Sequence, residues 1–271
     1  MSVLLQISDT HFGTEQEPVM QALQILHAEL RPDVVIVSGD ITQRATRAQF
    51  HCAQQFFESL NPKALLAIPG NHDIPLFNPF LRLLAPYSHY HQAFGRNLQP
   101  EFTSHDLLIL CVNTTRRWRH KNGEVSAAQI QAVAQRLAAA EAAQLRVVVT
   151  HQPVHIITTS DRNNLLRGHQ TALHAWAGAG ADLILGGHIH LPYVSRLQPL
   201  PQQPHQALWA VQAGTALSTR IRSGMPNSVN VVRYQYADGR RTCSVEQWDF
   251  NRQYNEFKPV SITPLLPDLN G

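Results

Sequence analysis

The sequence predicts an α/β fold, and three observations carry that prediction. Short apolar runs such as Val34 to Val37 alternate with longer stretches of helical period over the first two thirds of the chain. Those runs are apolar without alternation, which is how strands buried on both faces read. After residue 190 the pattern changes to closely spaced strand-like runs separated by turn residues. The early part is therefore βαβαβ and the late part β-rich.

Taken in order, Val3 to Ile7 is the first expected strand. Val19 to Leu30 places Met20, Leu23, Leu26 and Leu30 on one side of an amphipathic helix. Val34 to Val37 is a second strand, Ala45 to Leu60 a helix ended by Asn61-Pro62, and Ala64 to Ile68 a third strand. The segment from Pro75 to Pro100, rich in proline and aromatics, is expected to be irregular loop and short helix. Leu107 to Val112 is a strand. A helix begins at Ser126, whose spacing to Gln129 is that of a capping box, and runs to about Gln144. Val147 to Val149 and Leu183 to Leu185 are strands around a helix at about Gln170 to Ala179. Tyr193 to Leu197, Ala207 to Gln212, Val229 to Tyr236 and Thr242 to Trp248 are expected as successive antiparallel strands, with a turn at Ala237-Asp238-Gly239. Pro199 to Pro204 reads as a loop, and the tail with Pro259, Pro264 and Pro267 as extended. No repeat or linker divides the chain, so residues 1–271 are expected to form a single domain.

Composition narrows the functional classes. Hydrophobic residues make up 44% and charged residues 15% of 271, which supports a large core and argues against disorder or a coiled coil. The net charge of +3 is too mild to imply nucleic-acid or membrane binding by itself. Cys52, Cys111 and Cys243 are sparse and odd in number, as in reduced cytoplasmic proteins. No secretory leader is recognisable, and no apolar run approaches the ~20 residues of a membrane span. A homo-oligomer is compatible with all of this. Histidine, with 15 copies, is the residue whose positions matter most.

Five expected strands deliver metal-binding residue types just past their C-terminal ends. Val3 to Ile7 leads to Asp9 and His11, and Val34 to Val37 to Gly39-Asp40. Ala64 to Ile68 leads to Gly70-Asn71-His72-Asp73, Val147 to Val149 to His151, and Leu183 to Leu185 to Gly187-His188-Ile189-His190. Ligands of open α/β sheets bind at this edge, so five such strands in one sheet would converge there. Carboxylate and amide oxygens mixed with imidazole suit Mn, Fe or Zn. Singly, each residue is an ordinary turn, cap or surface residue. Together they are too many for one ion and suit two, with one carboxylate bridging.

These blocks resemble, in order, all five motif blocks of the calcineurin-like metallophosphoesterases. In its compact size the chain is similar to the bacterial class III cyclic nucleotide phosphodiesterases and related glycerophosphodiesterases. The resemblance implies a four-layer α/β/β/α sandwich of the metallophosphoesterase type and two divalent or trivalent ions, Mn, Fe or Zn. It implies Asp9, His11 and His190 on one metal, Asn71, His151 and His188 on the other, and Asp40 bridging. His72 would face the substrate phosphate and protonate the leaving oxygen, and Asp73 would orient His72 or an adjacent loop. A metal-bridging hydroxide would attack a small phosphodiester, with a cyclic nucleotide or related compound as the first substrate class. No GxSxG elbow, P-loop or HExxH offers a rival chemistry.

Substrate contacts are assigned to Asn113 and Arg116, which open the basic run Arg116 to Lys121 after the strand Leu107 to Val112. Arg220 and Arg222 form a second basic patch to which no role falls. The remaining ten histidines, among them His155 and His169, default to surface or core positions. Alternative activities are hydrolysis of a nucleotide-sugar or lipid-linked pyrophosphate, for which Phe77 to Phe94 would cover an acyl chain, and a nuclease. A non-enzymatic scaffold would lack some of these ligands, and here every one is present.

Overall fold

The computed structural model describes residues 1–197, 207–222 and 224–266. The loop expected at Pro199 to Pro204 and the tail beyond residue 266 lie outside them.

Two six-stranded sheets are stacked between helices. The first contains Ser2–Ile7 (β1), Val34–Val37 (β2) and Leu65–Ala67 (β3), all parallel to one another. An antiparallel meander, Ser228–Ala237 (β10), Arg240–Asn251 (β11) and Glu256–Leu266 (β12), adds to the open edge of β1. Its order is β12-β11-β10-β1-β2-β3. The second sheet contains Glu101–Thr103 (β4), Leu107–Cys111 (β5), Leu145–Val149 (β6), Leu183–Gly186 (β7), Tyr193–Arg196 (β8) and Trp209–Gln212 (β9). Its order is β4-β5-β6-β7-β9-β8.

Side-chain alternation along each strand assigns the layers. Leu4, Val34 and Ile36 of the first sheet pack face to face with Ile109, Val147 and Leu185 of the second. The opposite parity of the first sheet, Leu5, Ile7, Val35 and Val37, packs under the helices Glu17–Leu30 (α1) and Arg47–Ser59 (α2). Leu108, Leu110, Val148 and Ile184 of the second sheet pack under Ala127–Ala138 (α5) and His169–Gly178 (α6). The result is the α/β/β/α sandwich. Helix starts follow local chemistry: Thr46 accepts from the Gln49 amide, and Ser126 and Gln129 form the expected capping box.

The structure corrects four readings. The single sheet set as the condition for convergence is replaced by the two sheets that the resemblance implies: β1, β2 and β3 lie in the first, β6 and β7 in the second. The late strands are not one antiparallel run. β8 and β9 form a hairpin in the second sheet, where β9 runs parallel to β7, and the chain then crosses to the first sheet. The tail is not merely extended but forms the edge strand β12, in which Pro259 and Pro264 stand opposite Trp248 and Ser244 beside two register shifts. Edge position and local irregularity are what allow proline, with no N–H, into a ladder. The short edge strand β4 has no counterpart among the expected elements. The segment Pro75 to Pro100 does hold short helices, Pro79–Leu84 (α3) and Ser88–Phe94 (α4).

A candidate dinuclear metal centre

The C-terminal ends of β1, β2 and β3 meet those of β6 and β7 along one rim of the sandwich, and the candidate ligands gather there. Asp9, His11 and His190 bring one ligand atom each within 4.8 Å of one another, and so do Asp40, His151 and His188. In the first group His11 Nε2 is 3.1 Å from His190 Nε2 and 3.8 Å from Asp9 Oδ1, and His190 Nε2 is 3.2 Å from that oxygen. In the second, His151 Nε2 is 3.3 Å from Asp40 Oδ1 and 3.3 Å from Asn71 Oδ1. Ligands about 2.1 Å from a common ion stand roughly 3.0–3.4 Å apart at octahedral or tetrahedral angles. Most of these separations match that spacing. Asp40 turns its other oxygen, Oδ2, toward His11 Nε2 at 3.9 Å, so its carboxylate faces both groups.

The donor chemistry fits metal ions. His151 and His190 donate Nδ1–H to the carbonyls of Ser38 and Arg220 at 2.9 and 2.6 Å, which leaves each Nε2 lone pair facing the cluster. Both ring nitrogens of His188 are buried without a hydrogen-bond partner among the described residues. An orphan of that kind is costly unless something coordinates it. Burial pushes the imidazoles of His11 and His188 down to about 3, so they are neutral, the form that binds a metal. Burial would raise Asp9, but His190 and His151 beside it hold its carboxyl down to about 2. Burial likewise opposes charge on His151, yet Asp40 and Asp9 push its imidazole up to about 9, so an ion held at its Nε2 would displace a proton from it.

The backbone is contorted to achieve this. Asp9, His11, Asp40, His188 and His190 all have φ between 44° and 76°, half of the ten non-glycine residues in the left-handed region among those described. Such conformations are unfavourable and concentrate at functional sites. Glycine supplies the clearance. A Cβ at Gly70 would collide with the Asp40 amide and carboxylate, and one at Gly187 would press on Ser8 Oγ and Asp9 Oδ2.

Comparison with known proteins decides the family. The profile of the calcineurin-like phosphoesterases matches residues 2–192. The chain belongs to this family. A curated relative, the glycerophosphodiester phosphodiesterase GpdQ of Enterobacter lignolyticus, is 34% identical over 96 residues, a stretch covering 31% of this chain and 34% of that protein. Among solved structures, a dimetal phosphatase from Danio rerio superposes with a TM-score of 0.67 over 97% of this chain and 98% of its own, at 14% identity. Purple acid phosphatase PPD1 from yellow lupin gives 0.71 at 12% identity, with this chain spanning 54% of its length. The structural likenesses concern the fold.

In this phosphoesterase Asp40, Asn71, His188 and His190 line the floor of a cleft of about 770 Å³, and Asp9, His11 and His151 are buried beside them. His72 stands at its edge. Its amide donates to Asp40 Oδ1 at 2.8 Å, its Nδ1 bonds the Gln43 carbonyl at 2.9 Å, and its Nε2 is 3.1 Å from Arg220 Nη1. His72 also offers a ligand atom within 4.8 Å of His11 and Asp40, but both its nitrogens are engaged elsewhere. Asp73 turns away from the cleft. Its buried carboxylate accepts from the amides of Gly70, Ile41 and Thr42, so it fixes the loop that carries Asp40. Burial and the neighbouring Asp40 push its carboxyl up to about 6.

Asn113 and Arg116 are placed elsewhere. They line a second cavity of about 570 Å³ that shares no lining residue with the cleft. Arg116 bonds the carbonyls of Asn113 and Thr115 and the Gln129 side chain, and Asn113 accepts from Thr115 and donates to Tyr87. From the same basic run, His120 and Lys121 do line the cleft. The sequence reading missed Arg220. Its Nη1 lies within 3.5 Å of His11 Nδ1, His72 Nε2 and Gln43 Oε1, directly over the candidate ligands. Arg222 beside it is ion-paired with Asp161 at 2.9 Å. The signal available was the basic pair itself, which says nothing about where a crossing loop will lie.

Proposed function

We propose that this phosphoesterase hydrolyses small phosphodiesters at two metal ions, with Asp9, His11 and His190 holding one, Asn71, His151 and His188 the other, and Asp40 shared. The observation that carries this reading is the Asp40 carboxylate, whose two oxygens face two separate histidine clusters. Ions held there would neutralise phosphate charge and lower the pKa of water enough to supply a nucleophile. Arg220 presents a guanidinium from the rim toward the same point, where it would hold phosphate oxygens. His72 is anchored through Nδ1 on the Gln43 carbonyl and lines the cleft; its Nε2, which accepts from Arg220 Nη1 here, would give a proton to a departing alkoxide only once protonated and released by that guanidinium. The GpdQ match favours a diester over a monoester, with glycerophosphodiesters and cyclic nucleotides as the classes to test first. Three free cysteines, two of them buried, support a reducing, cytoplasmic setting.

The test is a panel run with defined Mn²⁺, Fe²⁺ or Zn²⁺: bis(p-nitrophenyl) phosphate, p-nitrophenyl phosphate, cyclic nucleotides, glycerophosphodiesters, UDP-sugars and single-stranded DNA. The expected result is the highest kcat/KM on a small diester, abolished by chelation and restored by metal. A preference for the monoester, the UDP-sugar or the DNA would reject this substrate class while leaving the metal centre standing.

A further inference from the structure

Beside the cleft the surface is unusually apolar. Phe77, Phe80, Leu83 and Leu84 are 76%, 79%, 59% and 78% exposed, and Trp118 on the adjoining loop is 68% exposed. Phe80, Leu83 and Leu84 recur at helical spacing on α3, Phe77 lies just before it, and Trp118 lines the second cavity. Arg117 Nη1 bonds the Leu83 carbonyl at 2.7 Å, which brings the Trp118 loop against α3. Leu76 lines the metal cleft and shares a smaller cavity with Phe77 and His72. Exposed apolar patches of this kind mark interaction surfaces.

The backbone under the patch is tied together by Arg82. Its guanidinium donates to the carbonyls of Ile74 and Pro75 on one side and of Arg117 and Arg119 on the other. One cation thus staples the loop after Asp73, helix α3 and the basic loop together.

Charge identifies the occupant. From Ile74 to Pro100, and again from Leu107 to Gly123, the chain contains no Asp or Glu. Glu124, which follows, is ion-paired with Arg119. Cations border the patch: Arg44 lies over the Phe77 ring at 5.4 Å, Arg117 touches α3, and Lys121 lines the cleft. A second copy meeting this face would bring like charges together, which disfavours self-association. An anionic surface that accepts large apolar side chains meets both properties. An aromatic and aliphatic patch with a basic border is the composition of interfacial membrane anchors.

We propose that the rim formed by α3 and Trp118 docks this protein on anionic lipid surfaces, with the mouth of the metal cleft turned toward the lipid. No helix among the described residues is long and apolar enough to cross a membrane, so the contact is peripheral. Docking in this orientation presents amphiphilic phosphoesters to the cleft directly from the interface. The proposal concerns binding and is read without turnover, so it stands or falls separately from the diesterase reading.

The experiment is co-sedimentation of the metal-loaded protein with phosphatidylcholine vesicles, with and without phosphatidylglycerol. The wild-type protein is expected to sediment with the mixed vesicles, to stay in solution with phosphatidylcholine alone, and to be released by high salt. Phe80→Gln with Leu84→Gln should weaken that binding by roughly tenfold or more. Its circular dichroism spectrum and Tm should match those of the wild-type protein, which shows that the variant is folded. In the wild-type protein, mixed vesicles should shift tryptophan emission to the blue, and Trp118→Phe should remove the shift. Failure of the wild-type protein to sediment, or sedimentation of the double variant equal to wild type, overturns the proposal. So does a wild-type dimer in light scattering that the double variant dissociates, because the patch would then belong to a second copy.

Discussion

The floor of the cleft and its rim are built differently. On the floor, Asp9, His11, Asp40 and His151 are buried, sit at the ends of core strands, and in three of the four cases occupy left-handed backbone. Left-handed non-glycine residues cost on the order of 1–3 kcal/mol each, so the stacked sheets must offset several kcal/mol of strain there. On the rim, Arg220, Lys121, Leu76 and α3 come from loops and short helices that pack on the sandwich and contribute little to its core. A floor of this kind would fix the chemistry of any ions it holds, because a shift in one ligand would break a coordination sphere. A rim of this kind would set which phosphoester is held, and it could change without disturbing those ions.

The largest expected effect tests the floor. Asp40→Ala removes the one carboxylate that faces both histidine clusters. Metal content by elemental analysis should fall from two ions per chain to one or none, and turnover should drop below detection. Two retained ions with normal turnover would show that the clusters do not share Asp40.

The next effect tests the boundary between floor and rim. His72→Ala deletes a ring whose nitrogens bond Gln43 and Arg220 and keeps the backbone amide that donates to Asp40, so both ions should remain. A general acid contributes typically about 10²–10⁴-fold. A loss of that size is expected for alkoxide leaving groups and a clearly smaller one for p-nitrophenolate, which departs without a proton. Equal losses on both substrates would assign His72 to phosphate binding instead, and loss of a metal would make it a ligand.

Arg220→Gln tests the rim proper. A hydrogen bond to a charged group contributes about 1.5–3 kcal/mol, roughly a ten- to hundredfold loss in kcat/KM. Metal content should be unchanged, because His190 is held by the Arg220 backbone carbonyl and not by its side chain. If Arg220→Gln kept full kcat/KM, the guanidinium would be only a brace between His72 and Gln43.

How much of this could be read from the sequence follows the same division. Metal chemistry restricts a position to Asp, His or Asn, and strand ends restrict where it stands, so Asp9, His11, Asp40, Asn71, His151, His188 and His190 were legible as one constellation. The two-sheet stacking was legible only through family resemblance, because a run such as Val34 to Val37 is apolar on both faces and does not state its neighbour. Strand β12 was hidden by Pro259 and Pro264, which normally speak against a ladder. Arg220 was hidden because an arginine in a loop has no residue-type signature, and its place depends on where the chain crosses from β9 to β10. Asn113 and Arg116 show the converse. They follow the strand end as a binding residue should, but the loop carries only His120 and Lys121 into the cleft.

The smallest expected effect sharpens that last contrast. Arg116 is occupied by the carbonyls of Asn113 and Thr115 and by Gln129, and it lines a cavity separate from the cleft. For a substrate as short as bis(p-nitrophenyl) phosphate, Arg116→Gln should leave KM and kcat within about twofold, since it removes no group near the floor. Its cost should fall on stability instead. Hydrogen bonds of this type contribute about 0.5–1.5 kcal/mol each, and their loss should lower Tm by a few degrees in a chain of this size. A rise in KM on the short diester without a change in Tm would reverse the assignment: the second cavity would then be continuous with the cleft in solution, and the strand-end reading of Asn113 and Arg116 would hold. A longer substrate gives the finer measurement. If KM rises only for a diester with an extended second substituent, the cavity holds that substituent, and the rim reaches further from the metals than the resting structure shows.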